Sequence, residues 1–164
     1  MSALHKSFGS FEIKSVDEEK RTFTGTASTP NQDRSKDIMV PKGAKFKLPM
    51  PLLFHHDMRS PIGHVTSAKV TNKGIEVEIH IPEIKEEGKL KDRVDEAYQS
   101  LKYDLVKGLS VGFLPNWDTA EMIKGGGIKF EDWEWYELSL VTIPDNRDSG
   151  TDFKKAFEEH KAAL

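Results

Sequence analysis

The segment Gly108-Leu109-Ser110-Val111-Gly112-Phe113 decides the fold of this chain, because it alternates small and apolar residues with the period of a β-strand. One face of this strand carries Leu109, Val111 and Phe113, and the other carries Gly108, Ser110 and Gly112. A serine between two glycines leaves its face open to an approaching carbonyl group. The pattern predicts a nucleophilic serine whose flanking glycines contact substrate. The alternative is a strip of small residues against which another strand or helix packs.

The same residues match the G-x-S-x-G motif of the nucleophile elbow in α/β-hydrolases. That elbow turns sharply from a strand into a helix, whereas Phe113-Leu114-Pro115 follows here. In the elbow enzymes the acid and the histidine come after the serine, but the best histidine candidates of this chain precede Ser110. The context therefore excludes the α/β-hydrolase fold.

Length and composition indicate one domain with a substantial core, since the chain has 164 residues. Lys and Arg number 24 against 27 Asp and Glu, and the net charge of −3 gives no electrostatic reason to expect nucleic acid or a membrane as partner. The absence of cysteine excludes disulfides, thiolate nucleophiles and cysteine-based zinc sites. No apolar run has the length of a signal peptide or a membrane span.

Period-two alternation predicts two β-hairpins, one joining residues 10–16 to 21–27 and the other joining residues 61–70 to 75–81. Further strands are predicted at residues 50–57, 108–113, 128–135 and 136–143. The strand at 136–143 is apolar on both faces and is therefore expected at the centre of a sheet. The strand at 50–57 ends in His55-His56-Asp57, as a buried strand does where it emerges at a site. Together these patterns indicate about seven strands.

One long helix is predicted from about Lys89 to Val106 by apolar residues at three- and four-residue spacing. Residues 28–47 are rich in turn-forming residues and are expected to be an irregular connection with one helical turn around Gly43 to Phe46. Residues 115–127 are expected to be a loop or an irregular hairpin. We expect a mainly β, α+β fold with flanking helices, a small β-barrel over residues 1–150. Residues 151–164 are expected to form an amphipathic helical tail, whose alternative roles are to cap the barrel, to mediate association or to be a removable extension.

A nucleophilic serine needs a base within hydrogen-bond reach and a third group that orients the base. His55 and His56 are the leading candidates, and because adjacent strand residues face opposite ways only one of them can point at Ser110. Glu137 is the candidate third group, since a carboxylate in the most apolar stretch of the chain needs a charged partner. The alternatives are a strand-end histidine satisfied by backbone and a structural ion pair of Glu137 with a lysine or arginine.

A further alternative is a zinc site built from His55, His56, Asp57, His64 and His80. The sequence contains no H-E-x-x-H, and adjacent strand histidines do not readily bind one metal. We therefore expect no metal and no other cofactor.

Four blocks of residues occur in an order that resembles the prohead proteases of tailed bacteriophages, which are related in fold to the herpesvirus assemblins. The blocks are Gly25-Thr26-Ala27-Ser28 followed by Asp33 and Asp37, Pro51 to Asp57 with Pro61-Ile62-Gly63, Gly108 to Phe113, and Glu137 to Val141 with Pro144. The resemblance implies that Ser110 is the nucleophile and that His56, directly before the aspartate, is the base. Assemblins use a second histidine as third member, and this chain has Glu137 there instead.

The resemblance also implies the biology of the chain. By analogy with the assemblins, the oxyanion donors come from around Asn146 and Arg147. The expected function is a serine endopeptidase of capsid maturation that works inside the phage prohead, in the host cytoplasm. Its expected substrates are the major capsid protein, a scaffold protein and the protease itself, and a homo-oligomer is expected, dimeric or higher. The rival functions are a silent β-barrel assembly module and an esterase-type serine hydrolase.

Overall fold

A computed structural model of the chain describes residues 5–7, 13–17, 20–33 and 35–142. It contains one α-helix, α1 (Lys89–Lys102), and a 3-10 turn at Pro41–Gly43. Its strands are β1 (His5–Ser7), β2 (Ile13–Asp17), β3 (Thr22–Ser28), β4 (Ile38–Met39), β5 (Ala44–Lys45), β6 (Met50–Phe54), β7 (Asp57–Thr71), β8 (Gly74–His80), β9 (Gly108–Pro115), β10 (Glu121–Met122), β11 (Ile128–Phe130) and β12 (Trp133–Val141). The expectation of a mainly β fold with helical additions is confirmed.

Nine of these strands form one sheet in the order β1-β9-β12-β6-β7-β8-β3-β2, with β5 also paired to β12. The sheet is curled into a half-barrel, so that β3 near one end contacts β9 near the other. The predicted number of about seven strands was too low, because short strands such as β1 and β5 have too few residues to show alternation. Both predicted hairpins are present, as β2 with β3 and as β7 with β8.

The core lies inside this curl and contains one face of β9, where Leu109, Val111 and Phe113 are buried. Strand β12 is central, as its two apolar faces predict, because it lies between β9 and β6. The indole rings of Trp133 and Trp135 are packed into the same core. Each large apolar side chain buried here contributes roughly 1.5–3 kcal/mol to stability.

The helix α1 ends at Lys102, four residues earlier than the predicted end at Val106. Asp104 has a left-handed φ of 64°, and the N–H groups of Asp104 and Leu105 donate to the carbonyls of Leu101 and Ser100. These two bonds form a Schellman motif, which terminates a helix whatever the apolar spacing beyond it. Leu105, predicted on the apolar face, is consequently exposed.

The connection before β6 is more ordered than its composition predicts. Its helical turn lies at Pro41–Gly43, slightly before the predicted position, because Pro41 favours the first turn of a helix. Gly43 is required there, since a Cβ on it would lie 1.6 Å from the carbonyl oxygen of Glu131. The indole Nε1–H of Trp133 donates to the carbonyl of Val40 at 2.9 Å. In the second predicted loop, β10 joins β11 and β4 in a three-stranded sheet.

The predicted tail at 151–164 and the predicted oxyanion donors Asn146 and Arg147 lie outside the described residues. Among the residues that the structure describes, no helix has the length and apolar character needed to cross a membrane.

Candidate active site

The candidate site lies where β12 passes between β6 and β9. Ser139 on β12 is opposite Ser110 on the β9 side and opposite Leu53 on the β6 side. Residues that are opposite each other in neighbouring strands share one face of a sheet. Groups on β9, on β12 and at the end of β6 are therefore held within a few ångströms of one another.

His55 and His56 form the two-residue turn that joins β6 to β7, rather than the end of a strand as predicted. Phe54 pairs with Asp57 across this turn, and the two histidines have φ values of 54° and 58°. Two central residues with positive φ are the mark of a type I′ hairpin turn, which usually contains Asn and Gly. We expected strand alternation to direct only one of the two histidines at Ser110. In the structure the two histidines lie in a tight turn, so strand alternation does not apply to them.

A β-bulge in β12 turns Glu137 toward Ser110. Trp135 lies opposite Phe113, while Glu137 lies opposite Gly112, so that Tyr136 is an extra residue in the ladder. Because Phe113 and Gly112 face opposite sides of β9, Trp135 and Glu137 also face opposite sides of the sheet. The bulge sends the Trp135 indole into the core and the Glu137 carboxylate to the face of Ser110.

The side chains of Ser110, His56 and Glu137 form one hydrogen-bonded chain. The ring atom Nδ1 of His56 lies 2.6 Å from Glu137 Oε1, and Nε2 lies 2.7 Å from Ser110 Oγ. A carboxylate only accepts hydrogen bonds, so Nδ1–H donates to an ionised Glu137, and in the neutral imidazole Nε2 then accepts from the Ser110 hydroxyl. This is the tautomer that a general base needs to take a proton from serine.

The three groups are almost completely removed from solvent. Ser110 is 0% exposed, Glu137 is 2% exposed and the His56 side chain is 7% exposed. An isolated carboxylate at this depth is strongly disfavoured, whereas one that accepts short hydrogen bonds from a histidine is tolerated. Burial therefore strengthens the His56–Glu137 interaction.

Ser139 is a member of this cluster that the sequence interpretation missed. Its hydroxyl donates to Glu137 Oε2 at 2.7 Å and accepts the backbone N–H of His56 at 3.0 Å. A signal was present, since Ser139 follows Glu137 by two residues and must share its strand face. A small polar residue in an apolar run does not alter the hydrophobic period, so the pattern alone does not reveal it.

Gly112 lies directly against the carboxylate of Glu137. A Cβ on Gly112 would lie 2.1 Å from Glu137 Oε1, well inside the contact distance of the two atoms. The position thus leaves room for the carboxylate that orients His56, and any contact of Gly112 with substrate stays a prediction. Gly108 lies opposite Val141 on the face of Ser110, and its predicted contact with substrate also stays untested.

Three further histidines, His55, His64 and His80, lie in or beside the strands β6 to β8. His64 and His80 are opposite each other on β7 and β8. Burial holds the pKa of His55 below its usual value, the neighbouring His56 lowers this pKa further, and Glu96 acts in the opposite direction. Within the described ranges, no three His, Asp or Glu side chains converge as a metal site requires.

Comparison with known proteins gives one family and two relatives. Residues 9–163 match the model of the family described as caudovirus prohead serine protease. The chain is 51% identical over 162 residues to a capsid polyprotein of Pseudomonas phage PAJU2. The matched region covers 98% of this chain but 24% of the polyprotein. It is 30% identical over 163 residues to a prohead protease of Escherichia phage T5, covering 90% of this chain and 71% of that protein.

The chain thus spans about a quarter of the polyprotein and about seven tenths of the T5 protein. No solved structure matches the chain.

Proposed function

The chain belongs to the caudovirus prohead serine protease family, and from this premise we propose that it cleaves peptide bonds with Ser110, His56 and Glu137 as its catalytic triad. The observation that carries the proposal is the continuous hydrogen-bonded chain from Ser110 Oγ through the His56 ring to Glu137. In a family of serine proteases, a buried serine bonded to a histidine that is itself bonded to a carboxylate is the expected arrangement of the catalytic groups.

The first half of the proposed reaction is acylation. Ser110 Oγ attacks the carbonyl carbon of the scissile bond while His56 Nε2 takes the hydroxyl proton. A carbon–oxygen bond forms, and the carbonyl oxygen becomes an oxyanion. The imidazolium then gives its proton to the leaving amine as the carbon–nitrogen bond breaks. In the second half, water replaces the amine and His56 repeats both proton transfers, which frees the carboxyl product and Ser110.

Glu137 is proposed to keep the His56 ring in the productive tautomer. Its Oε1 accepts a hydrogen bond from Nδ1–H, so that Nε2, which is bonded to Ser110 Oγ, is the ring atom that acts as the base. When His56 becomes an imidazolium, the carboxylate is already in place to stabilise the positive charge. Glu137 therefore fills the role that assemblins give to a second histidine, and its negative charge suits that role.

The proposed substrates are capsid precursors. The relatives of this chain carry the names prohead protease and capsid polyprotein, which supports a substrate that is part of the assembling shell. We propose cleavage of the scaffold protein or of the amino-terminal extension of the major capsid protein inside the prohead, together with self-cleavage. The oxyanion donors near Asn146 and Arg147, the homo-oligomer and the removable tail belong to the same proposal.

Co-expression with the cognate capsid protein and with the cognate scaffold protein tests this function. Intact mass spectrometry compares each partner after co-expression with the wild-type chain and with Ser110→Ala. We expect one or a few defined cleavages in the capsid or scaffold protein that are absent with Ser110→Ala. If the capsid and scaffold proteins stay intact in assembled shells with the wild-type chain and with Ser110→Ala alike, the result would favour an assembly module. Turnover of small esters without any cleavage of these proteins would favour an esterase.

A further inference from the structure

The Ser139 hydroxyl connects two parts of the site that belong to different elements. It donates to Oε2 of Glu137 on its own strand and accepts the backbone N–H of His56 in the turn between β6 and β7. A hydroxyl has one proton to donate and lone pairs to accept, so the same group satisfies both partners at once. One atom therefore links the carboxylate to the backbone of the residue whose ring that carboxylate orients.

We propose that Ser139 is a positioning residue for the triad, an inference that rests on the proposed function. With His56 at Oε1 and Ser139 at Oε2, both oxygens of the Glu137 carboxylate are held, which fixes the rotation of the carboxylate plane. This orientation of the carboxylate places Oε1 where it accepts the hydrogen bond from Nδ1–H of His56. Precise alignment of this kind determines rate more than binding, because the proton transfers occur in the transition state.

The Ser139 hydroxyl also anchors the turn that carries His56. His56 has a φ of 58°, a conformation that few residues other than glycine adopt without compensation from their surroundings. The bonds from His55 N–H to the carbonyl of Leu140 and from His56 N–H to Ser139 Oγ attach this turn to β12. Ser139 thus helps to hold His56 in a backbone conformation that points its ring at Ser110.

Ser139 acts through its neighbours and does not itself react. Ser110 and Ser139 are opposite each other on neighbouring strands. The Nε2 atom of His56 is hydrogen-bonded to Ser110 Oγ, whereas the Ser139 hydroxyl donates its proton to the carboxylate of Glu137. A serine whose hydroxyl is bonded to a carboxylate oxygen is not paired with the base that must remove its proton. The geometry therefore separates a nucleophile from a positioning residue within one cross-strand pair.

The test replaces Ser139 with alanine and uses Ser28→Ala as the matched control, because Ser28 is another buried strand serine and lies on β3. Steady-state cleavage of the capsid or scaffold protein gives kcat and KM for each variant. The loss of one charge-assisted hydrogen bond is expected to lower kcat by about 10- to 100-fold for Ser139→Ala. We expect KM within about twofold of wild type for both variants and an unchanged kcat for Ser28→Ala.

Proton NMR of the His56 Nδ1–H supplies a readout that a loss of packing alone does not produce. In Ser139→Ala this resonance is expected to move upfield and broaden, while the resonances of core residues distant from the site stay close to wild type. Should the alanine variant not fold, Ser139→Cys replaces it, since a thiol has nearly the same shape but is a much weaker donor. The cysteine variant is expected to lie between wild type and alanine in kcat.

The outcomes separate this inference from the proposed function. Wild-type kcat and an unchanged Nδ1–H resonance in Ser139→Ala, with Ser110→Ala inactive, would overturn the positioning role and leave the triad standing. An equal fall of kcat in Ser28→Ala would also overturn it, because the effect would then be one of buried serines in general. Cleavage by Ser110→Ala at the wild-type rate would overturn the triad and the role of Ser139 together.

Discussion

At the scale of single residues, the candidate site depends on the space around the Glu137 carboxylate. Gly112 lies directly against it, and a Cβ on this residue would come within 2.8 Å of three side-chain atoms of Glu137. Those atoms cannot move away freely, because His56 and Ser139 hold the carboxylate at its two oxygens. A glycine at position 112 thus provides the space that the Glu137 carboxylate needs in order to orient His56.

We predict that Gly112→Ala lowers the free energy of unfolding by about 1–3 kcal/mol and reduces cleavage more than tenfold, since Glu137 must shift. Chemical denaturation measures the change in the wild-type background and in a Glu137→Ala background. The same substitution should be clearly less destabilising without the carboxylate, with a coupling above about 0.5 kcal/mol. Equal destabilisation in both backgrounds would show that the clash lies elsewhere.

His55 is a second residue whose surroundings have a measurable consequence. Its pKa is lowered first by burial and then by His56, so the folded protein binds this proton less readily than the unfolded chain does. As pH falls below the usual histidine pKa of about 6.5, the unfolded chain takes up the proton and the folded protein loses stability. The loss is complete once the pH is below the pKa of the folded state.

We predict that His55→Asn flattens the dependence of the free energy of unfolding on pH between about pH 7 and pH 5. Asparagine tolerates the positive φ of this turn position, so stability at pH 7.5 should not fall. Denaturant titrations of wild type and variant at several pH values provide the measurement. Parallel curves for the two proteins across this range would contradict the assignment of the effect to His55.

At the scale of elements, periodicity predicted strands well and their ends poorly. The alternation at Gly108–Pro115 identified both the core face and the face of Ser110. The bulge at Tyr136 and the tight His55-His56 turn were not predicted, because each depends on pairing with residues distant in sequence. The chemistry of the residue types therefore selected Ser110, the His55-His56 pair and Glu137 as candidates, and the resemblance selected His56. The turn that carries His56 and the bulge that orients Glu137 were visible only in the structure.

The end of α1 gives a prediction at this scale. Asp104 adopts a left-handed φ of 64° that glycine adopts without steric penalty. We expect Asp104→Gly to raise the free energy of unfolding by roughly 0.5–1 kcal/mol, with cleavage unchanged, because the exposed ion pair of Asp104 with Lys107 contributes little. Thermal unfolding gives the measurement. Asp104→Ala is the control and should be less stable than the glycine variant, and the reverse order would refute this explanation of the helix end.

At the scale of the whole molecule, one sheet provides both the core and the site. The inner face of β9 and β12 is apolar, while the opposite face of the same two strands carries Ser110, Glu137 and Ser139. Such a sheet holds two of the proposed catalytic groups, Ser110 and Glu137, on rigid strands, and it holds the third, His56, in a tight turn attached to β12. Loss of core packing is therefore expected to affect the entire molecule, including the site.

Leu138 provides the test of this dependence, since it is fully buried between Val111 and Leu52 of the neighbouring strands. We predict that Leu138→Ala lowers the free energy of unfolding by about 2–5 kcal/mol. Leu105→Ala is the matched control, because Leu105 is 68% exposed, and it should change stability by less than about 0.5 kcal/mol. Similar losses in the two variants would argue against a core centred on β12.

The proposed activation of Ser110 by His56 and Glu137 is tested by the reaction of the protease with a fluorophosphonate probe. Intact mass and peptide mapping locate the adduct in wild type, His56→Ala and Glu137→Gln. We predict a single adduct on Ser110 in wild type. In His56→Ala and Glu137→Gln the rate of adduct formation should fall by about 10³-fold or more. An adduct on another residue, equal labelling rates in His56→Ala, or no adduct on a protease that still cleaves its substrate would contradict the account.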